Sequence, residues 1–367
     1  MADDKAVPGR RIAGYLPTLD GWRTISIVSV MLCHDRLHQA GPLSTGWFYL
    51  HGQLGVDVFF AISGLLICSR LLNEEQAKGR IGLRNFYVRR AFRILPPAAF
   101  FLVTLLVLKY TIHLQVGVAE VVASMFFVRN YTSFFIHFQT IYPFYTSHFW
   151  SLAIEEHFYL ILPALLVFAH KKWRVPALFV LAVLVGLHRI SHGSLSSMHT
   201  DMRIDALIVP AMIAILIRRA TVRARFTRWL RYWPVLAAIL FVPVTYSLIP
   251  RTTGLLIAWL TPLMILGTML RPQSWFSRFL EFPAMRYVGR LSYSLYLWQQ
   301  LFFIAHFGAG AAGLGALQSW PFCVAMAAAC ALCSYYFVEQ PFIRLGHRLA
   351  PNVAANKVAR SEAGAPT

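Results

Sequence analysis

Two ionisable residues stand eleven positions apart in an otherwise apolar stretch: Arg23 and His34, joined by Thr24 to Cys33 and preceded by Leu19-Asp20-Gly21-Trp22. In a helix they are separated by roughly 16 Å of depth, and eleven residues make about three turns, so both point to nearly one face. Ionisable groups on one face of a membrane-grade helix are expensive unless that face lines a polar cavity or pathway. An interfacial anchor arginine and a hydrogen-bonded histidine in a packed bundle give the same pattern. These residues alone leave both readings open.

A second constellation is Phe149-Trp150-Ser151-Leu152-Ala153-Ile154-Glu155-Glu156-His157-Phe158-Tyr159. His148, Ser151, Leu152, Glu155 and Tyr159 follow the spacing of one helix face. Glu155 and Glu156 are about 100° apart on a helix, so at most one of them aims straight into a bundle. A carboxylate paired with His34 would orient the imidazole and support it as a base. A structural ion pair that sets helix register is the alternative. A third constellation is Arg89, Arg90 and Arg93 ahead of Pro96-Pro97. Paired guanidinium donors bind phosphates, although loop basicity on the cytoplasmic face produces similar clusters. Asp20, Asp57, Ser63, Trp150, Arg203 and Tyr293 are candidate pocket-lining residues, or polar glue between helices.

Membrane helices must position these groups. The chain has 367 residues, 57% hydrophobic and 13% charged, about half the charged fraction of a soluble domain. The composition predicts an all-α polytopic membrane protein. Runs long enough to span fall at roughly 20–38, 54–72, 91–112, 149–169, 174–188, 203–217, 234–249, 254–270, 288–307 and 320–338. The segment 119–137 is ambiguous. Of 34 Lys and Arg, 28 lie in the arm through Arg23 and in 70–93, 171–174, 218–231, 271–290 and from Arg344 onward. Such a bias marks the cytoplasmic face. It predicts ten alternating spans in the cytoplasmic (inner) membrane, with both termini cytoplasmic. It also requires 119–137 to be re-entrant, a hairpin or a surface segment.

The expected domains are a cytoplasmic arm (1–14), a transmembrane domain (15–345) and a disordered cytoplasmic tail (346–367). The first apolar run reads as a retained helix. The net charge of +19 then belongs to loops facing anionic lipid, and nucleic-acid binding is not expected. The five cysteines fall in apolar segments and carry no metal-ligand or disulfide spacing. No permanently bound cofactor and no metal are expected. Gly308-Ala309-Gly310-Ala311-Ala312-Gly313 matches a dinucleotide glycine pattern, but it follows a membrane helix and not a strand.

Taken together, these motifs resemble the membrane acyltransferase-3 family of integral membrane O-acyltransferases over about residues 15–345. The resemblance rests on Leu19-Asp20-Gly21 with Arg23 and His34, on Gly55-Val56-Asp57-Val58-Phe59-Phe60 with Ser63-Gly64, and on Arg90 and Arg93 before Pro96. Trp150-Ser151-Leu152 leading to Glu155, Ser292-Tyr293-Ser294-Leu295-Tyr296-Leu297 and Glu339-Gln340-Pro341 complete it. A departure is Gln299, where many relatives carry His. The resemblance implies transfer of an acyl group, usually acetyl, from cytoplasmic acyl-CoA to a hydroxyl. The implied acceptor is an extracytoplasmic glycan such as lipopolysaccharide O-antigen or exopolysaccharide, and in some relatives a macrolide or other small molecule. Some relatives append a hydrolase-like domain, and the stand-alone form is expected here. His34 is then the base or acyl carrier, assisted by Glu155 or Glu156 and by Arg23, with Arg89, Arg90 and Arg93 on the CoA phosphates. The rival class is a proton-coupled transporter or flippase, which often shows repeated halves; no repeat is visible. The sequence is silent on oligomeric state.

Overall fold

The computed structural model describes residues 16–34, 52, 54–132, 144–192, 198–237, 239, 250–303 and 309–351. Among these the chain is helical and forms no strand. In order the helices are α1 (Pro17–His34), α2 (Leu54–Lys78), α3 (Leu83–Thr111), α4 (Val118–Met125), α5 (Phe149–Phe168), α6 (Lys171–His192) and α7 (Asp205–Leu216). They continue as α8 (Ala220–Trp229), α9 (Pro250–Leu270), α10 (Trp275–Leu280), α11 (Pro283–Phe302), α12 (Phe322–Cys333) and α13 (Gln340–Leu349). A π-turn over Ser334–Glu339 joins α12 to α13 without a break.

Nine of the ten expected spans coincide with a described helix, α12 and α13 counting as one. The seventh, 234–249, lies mostly outside the described residues, as does the arm 1–14. Six helices are long and apolar enough to cross a membrane: α2, α3, α5, α6, Thr253–Leu270 of α9, and Phe322–Leu349. α7 is apolar but shorter. The last helix runs to Leu349, past the start expected for the tail at 346, and residues 352–367 are not described.

Neither α1 nor α11 belongs to those six, and these two helices pack on each other at the centre of the bundle. Every residue of α11 from Ser294 to Phe302 is buried. Lipid-facing apolar surface is supplied instead by helices such as α3, which exposes Phe100, Val103, Val107 and Tyr110. The helices that carry polar residues are thus wrapped in protein, as burial of polar groups at membrane depth requires. The wrapping depends on close backbone approach. A methyl group at Gly289 would overlap the Asp20 carbonyl oxygen, and one at Gly55 would overlap that of Ser26. Small residues at such crossings let helices come together in lipid.

Side-chain pairs fix the direction of each helix. α2 and α5 run parallel, because Phe60 meets Trp150, Ser63 meets Glu155, and Glu75 meets Arg174 just beyond α5. α3 is antiparallel to α5, with Arg90 on Tyr159 and Phe101 on Phe149. α3 therefore ends on the side where α5 begins, and the chain between them makes no net crossing. Its described helix, α4, has eight residues, about 12 Å, far short of a bilayer core. It ends at Met125, two residues before Phe127, whose φ of 54° turns the chain. Over 119–132, the described part of the segment 119–137, the chain forms no helix long enough to cross. α7 ends on the Arg23 side, where Arg218 bonds Asn73, and α9 begins on the His34 side, where Gly254 meets Arg189. Between them lies the expected seventh span.

With native cysteines replaced by alanine, His113→Cys and Met198→Cys should react with an impermeant thiol reagent from one side of the membrane. Arg80→Cys should react from the other. Labelling of His113→Cys and Arg80→Cys from the same side would contradict this path.

Candidate active site

At the far end of α1, His34 Nδ1 lies 3.0 Å from Oε1 of Gln299 on α11. Gln299 is fully buried. Its Nε2 donates to Gln300 Oε1 at 3.3 Å, and Gln300 Nε2 donates to Ser147 Oγ at 3.1 Å. An oxygen turned toward Nδ1 makes that nitrogen the donor and puts the ring's lone pair on Nε2.

The carboxylates do not meet the imidazole as expected. Glu155 accepts from Ser63 Oγ at 2.8 Å and from Tyr159 Oη at 2.9 Å. The reason is helix order: α1 packs chiefly on α11 and α2, so Gln299, not the α5 carboxylate, faces Nδ1. Glu155 lies six residues into α5, about 9 Å below its start. Glu156 Oε1 is buried with no hydrogen-bond partner among the described residues.

Below Glu155 the site becomes basic. The Arg90 guanidinium sits 4.0 Å from the centre of the Tyr159 ring, a cation–π contact, and its Nε is a buried donor without a described partner. Arg23, Arg89, Arg90 and Arg93, drawn from α1 and α3, all lie within electrostatic reach of Arg70 of α2, and Arg23 and Arg90 also lie within reach of Arg93. Arg23 Nη1 is paired with Asp20 at 3.0 Å. Arg89 bonds the Ala350 carbonyl at 3.1 Å and lies 3.9 Å from Glu74. Glu339, buried in the π-turn, accepts from Ser294 at 2.7 Å and offsets the charge of Arg93 and Arg23. Tyr293 donates to the Ile94 carbonyl at 2.9 Å, next to the turn where Pro96 and Pro97 remove backbone donors.

The remaining candidates form two structural groups. Asp57 pairs with Arg203 at 2.7 Å, and the Arg203 guanidinium lies 5.5 Å from the Trp150 ring centre. Arg189 and Asp205 form a second buried pair beside them. Ser151 and Tyr296 share a 2.7 Å hydrogen bond, and Tyr296 also bonds the His148 carbonyl at 2.9 Å. His148 is buried against Phe101, Phe149 and Tyr296. Outside the spans proper, burial, with the neighbouring His34 and Arg129, holds its imidazole well below the usual histidine range.

Gln299, Arg70 and Glu339 were not among the site residues expected from sequence. Gln299 carried a signal as a departure from the family pattern, and Arg70 was hidden among topological arginines. Among the described residues, no three His, Cys, Asp or Glu side chains gather as metal ligands.

The fold and site define an all-α, multi-pass membrane protein with a titratable interior that runs from an imidazole to a guanidinium cluster. The chain belongs to the acyltransferase-3 family, whose model, described as an acyltransferase domain, matches residues 16–339. Among curated proteins it is similar to O-acetyltransferase OatA of Staphylococcus aureus, in strains NCTC 8325 / PS 47 and COL. Each is 28% identical over 363 aligned positions, covering 91% of this chain. The chain spans 58% of the length of these relatives. No solved structure matches it.

The Asp57–Arg203 pair is a buried link between helices. Asp57→Leu should destabilise the protein by about 3–5 kcal/mol, because it strips a buried guanidinium of its carboxylate, while Asp57→Leu with Arg203→Met should regain most of that loss. Thermal unfolding in detergent checks this; equal loss in the single and double variants would contradict it.

Proposed function

We propose that the protein is a membrane O-acyltransferase. It moves an acyl group, in the first instance acetyl, from acyl-CoA on the cytoplasmic side to a hydroxyl of a glycan on the opposite side. The observation that carries this reading is the polarity of the site. Five arginines, Arg23, Arg70, Arg89, Arg90 and Arg93, gather at one end, and an oriented imidazole sits at the other. Support for the sidedness comes from the basic loops, which assign the arginine end to the cytoplasm. On this reading the protein lies in the inner membrane with both ends cytoplasmic.

The arginines take the CoA phosphates, with Arg90 and Arg93 central and Arg89 partly engaged by Ala350 and Glu74. The buried orphan atoms Arg90 Nε and Glu156 Oε1 suit a polar ligand that passes between them. The thioester arm extends along Tyr159, Glu155 and Ser63 toward His34. His34 Nε2 removes the proton from the acceptor hydroxyl as that oxygen attacks the thioester carbonyl. The carbon–sulfur bond breaks, and the imidazolium returns the proton to the CoA thiolate. In a two-step form, His34 itself takes the acyl group and passes it to the acceptor.

His34→Ala should lower transfer from labelled acetyl-CoA to a cell-envelope extract by at least about 100-fold while leaving a folded, inserted protein. Unimpaired transfer would remove His34 from the mechanism. Arg93→Ala should raise the KM for acyl-CoA by about tenfold or more and leave acceptor dependence unchanged. An unchanged KM would reduce the arginines to topological signals.

A further inference from the structure

We propose that Gln299 is a positioning residue for His34, one that fixes the reactive tautomer of the imidazole with a neutral partner. The inference rests on the reading of His34 as the group that receives the acceptor proton. Histidine bases are commonly held at Nδ1 by a carboxylate, which orients the ring and also stabilises the imidazolium. Here the partner at 3.0 Å is an amide oxygen. The amide is turned this way by its own donor, which goes to Gln300, whose donor goes in turn to Ser147. The donations thus run in one direction, from the imidazole through Gln299 and Gln300 to Ser147. Full burial of Gln299 keeps water from competing for its oxygen.

The chemical consequence is specific. Nδ1 carries the hydrogen, Nε2 carries the lone pair, and no formal negative charge touches the far side of the ring through this contact. The imidazolium formed on proton transfer is oriented but less trapped than beside a carboxylate, so it returns its proton readily to the leaving thiolate. Of the other titratable groups near this end, His148 is buried with neither ring nitrogen hydrogen-bonded among the described residues, and the rest are engaged. His148 is an electrostatic neighbour of His34, Asp57 of α2 is held by Arg203, and Tyr296 of α11 is held by Ser151 and the His148 carbonyl. The charged residues of α10 and of the first turns of α11, Arg278, Arg286 and Arg290, belong to the opposite end, where Gly21 meets Leu280 and Gly289 meets Asp20.

The test compares full-length wild-type, Gln299→Glu, Gln299→Leu and His34→Ala in kcat/KM against pH. In parallel, the pH midpoint of His34 carbethoxylation is read by mass spectrometry without substrates. Gln299→Glu should move both the acid limb of the profile and the carbethoxylation midpoint up by about 1–3 pH units, with the KM for acyl-CoA unchanged. Gln299→Leu should lower kcat at least about tenfold, again with the KM unchanged and with thermal unfolding near wild-type. An unmoved acid limb and midpoint in Gln299→Glu, or a Gln299→Leu variant that loses stability but not kcat, overturns the proposal. If Gln299→Glu does not fold, the kcat-against-KM split of Gln299→Leu decides. His34→Ala separates this failure from the larger one: a fully active His34→Ala overturns the assignment of His34, whereas an inactive one beside an unmoved Gln299→Glu profile overturns the role of Gln299 alone.

Discussion

A charged or hydrogen-bonding side chain at membrane depth persists only where protein surrounds it, because lipid offers nothing in exchange for lost water. This constraint organises the molecule. α1 brings Asp20, Arg23 and His34 into the bundle, and α11 brings Tyr293, Tyr296, Gln299 and Gln300. Neither helix is among the six long and apolar enough to cross a membrane, and the two pack on each other. Their crossing is close enough that a β-carbon at Gly289 would collide with the α1 backbone. A wider crossing would open polar groups to lipid or to water, and either would separate His34 from Gln299.

Within that enclosure, polar groups are matched both across helices and along them. Ser63 of α2 and Tyr159 of α5 hold Glu155; Ser294 of α11 holds Glu339 of the π-turn; Arg203 holds Asp57. Arginines facing one another at the other end repel, and Glu339 and Glu74 offset part of that repulsion. A cluster that keeps several guanidinium groups together with so few carboxylates is poised to gain from an anionic ligand. The buried ion pairs of Asp57 with Arg203 and of Arg189 with Asp205 are better understood as joints between α2, α6 and α7.

Much of this was legible in the residues. Helix class followed from apolar runs, because the length of a membrane helix is set by bilayer thickness; nine of the expected runs coincide with described helices, and six helices are long and apolar enough to span. The placement of Lys and Arg was enough to deny 119–137 a crossing, and the parallel run of α2 and α5 agrees. Helix adjacency was not legible. Apolar periodicity says which face is buried and not against which neighbour, so the sequence points to Glu155 or Glu156 as the partner of His34, whereas α11 lies next to α1. Arg70 was lost for a related reason: an arginine at a helix end satisfies the topology rule whether or not it also joins a site. The neutral partner of His34 was visible as an unusual residue, but its meaning came from a 3.0 Å contact between positions 265 residues apart.

The central claim is that one bundle joins a donor on the arginine side to an acceptor on the histidine side. Proteoliposomes of uniform orientation test it most directly, with labelled acetyl-CoA supplied to the face bearing Arg80 and a glycan acceptor confined to the face bearing His113. Label should pass to the glycan in this arrangement and fall to background when donor and acceptor are exchanged between compartments. Equal transfer in both arrangements, or transfer only when both substrates share one face, would contradict it.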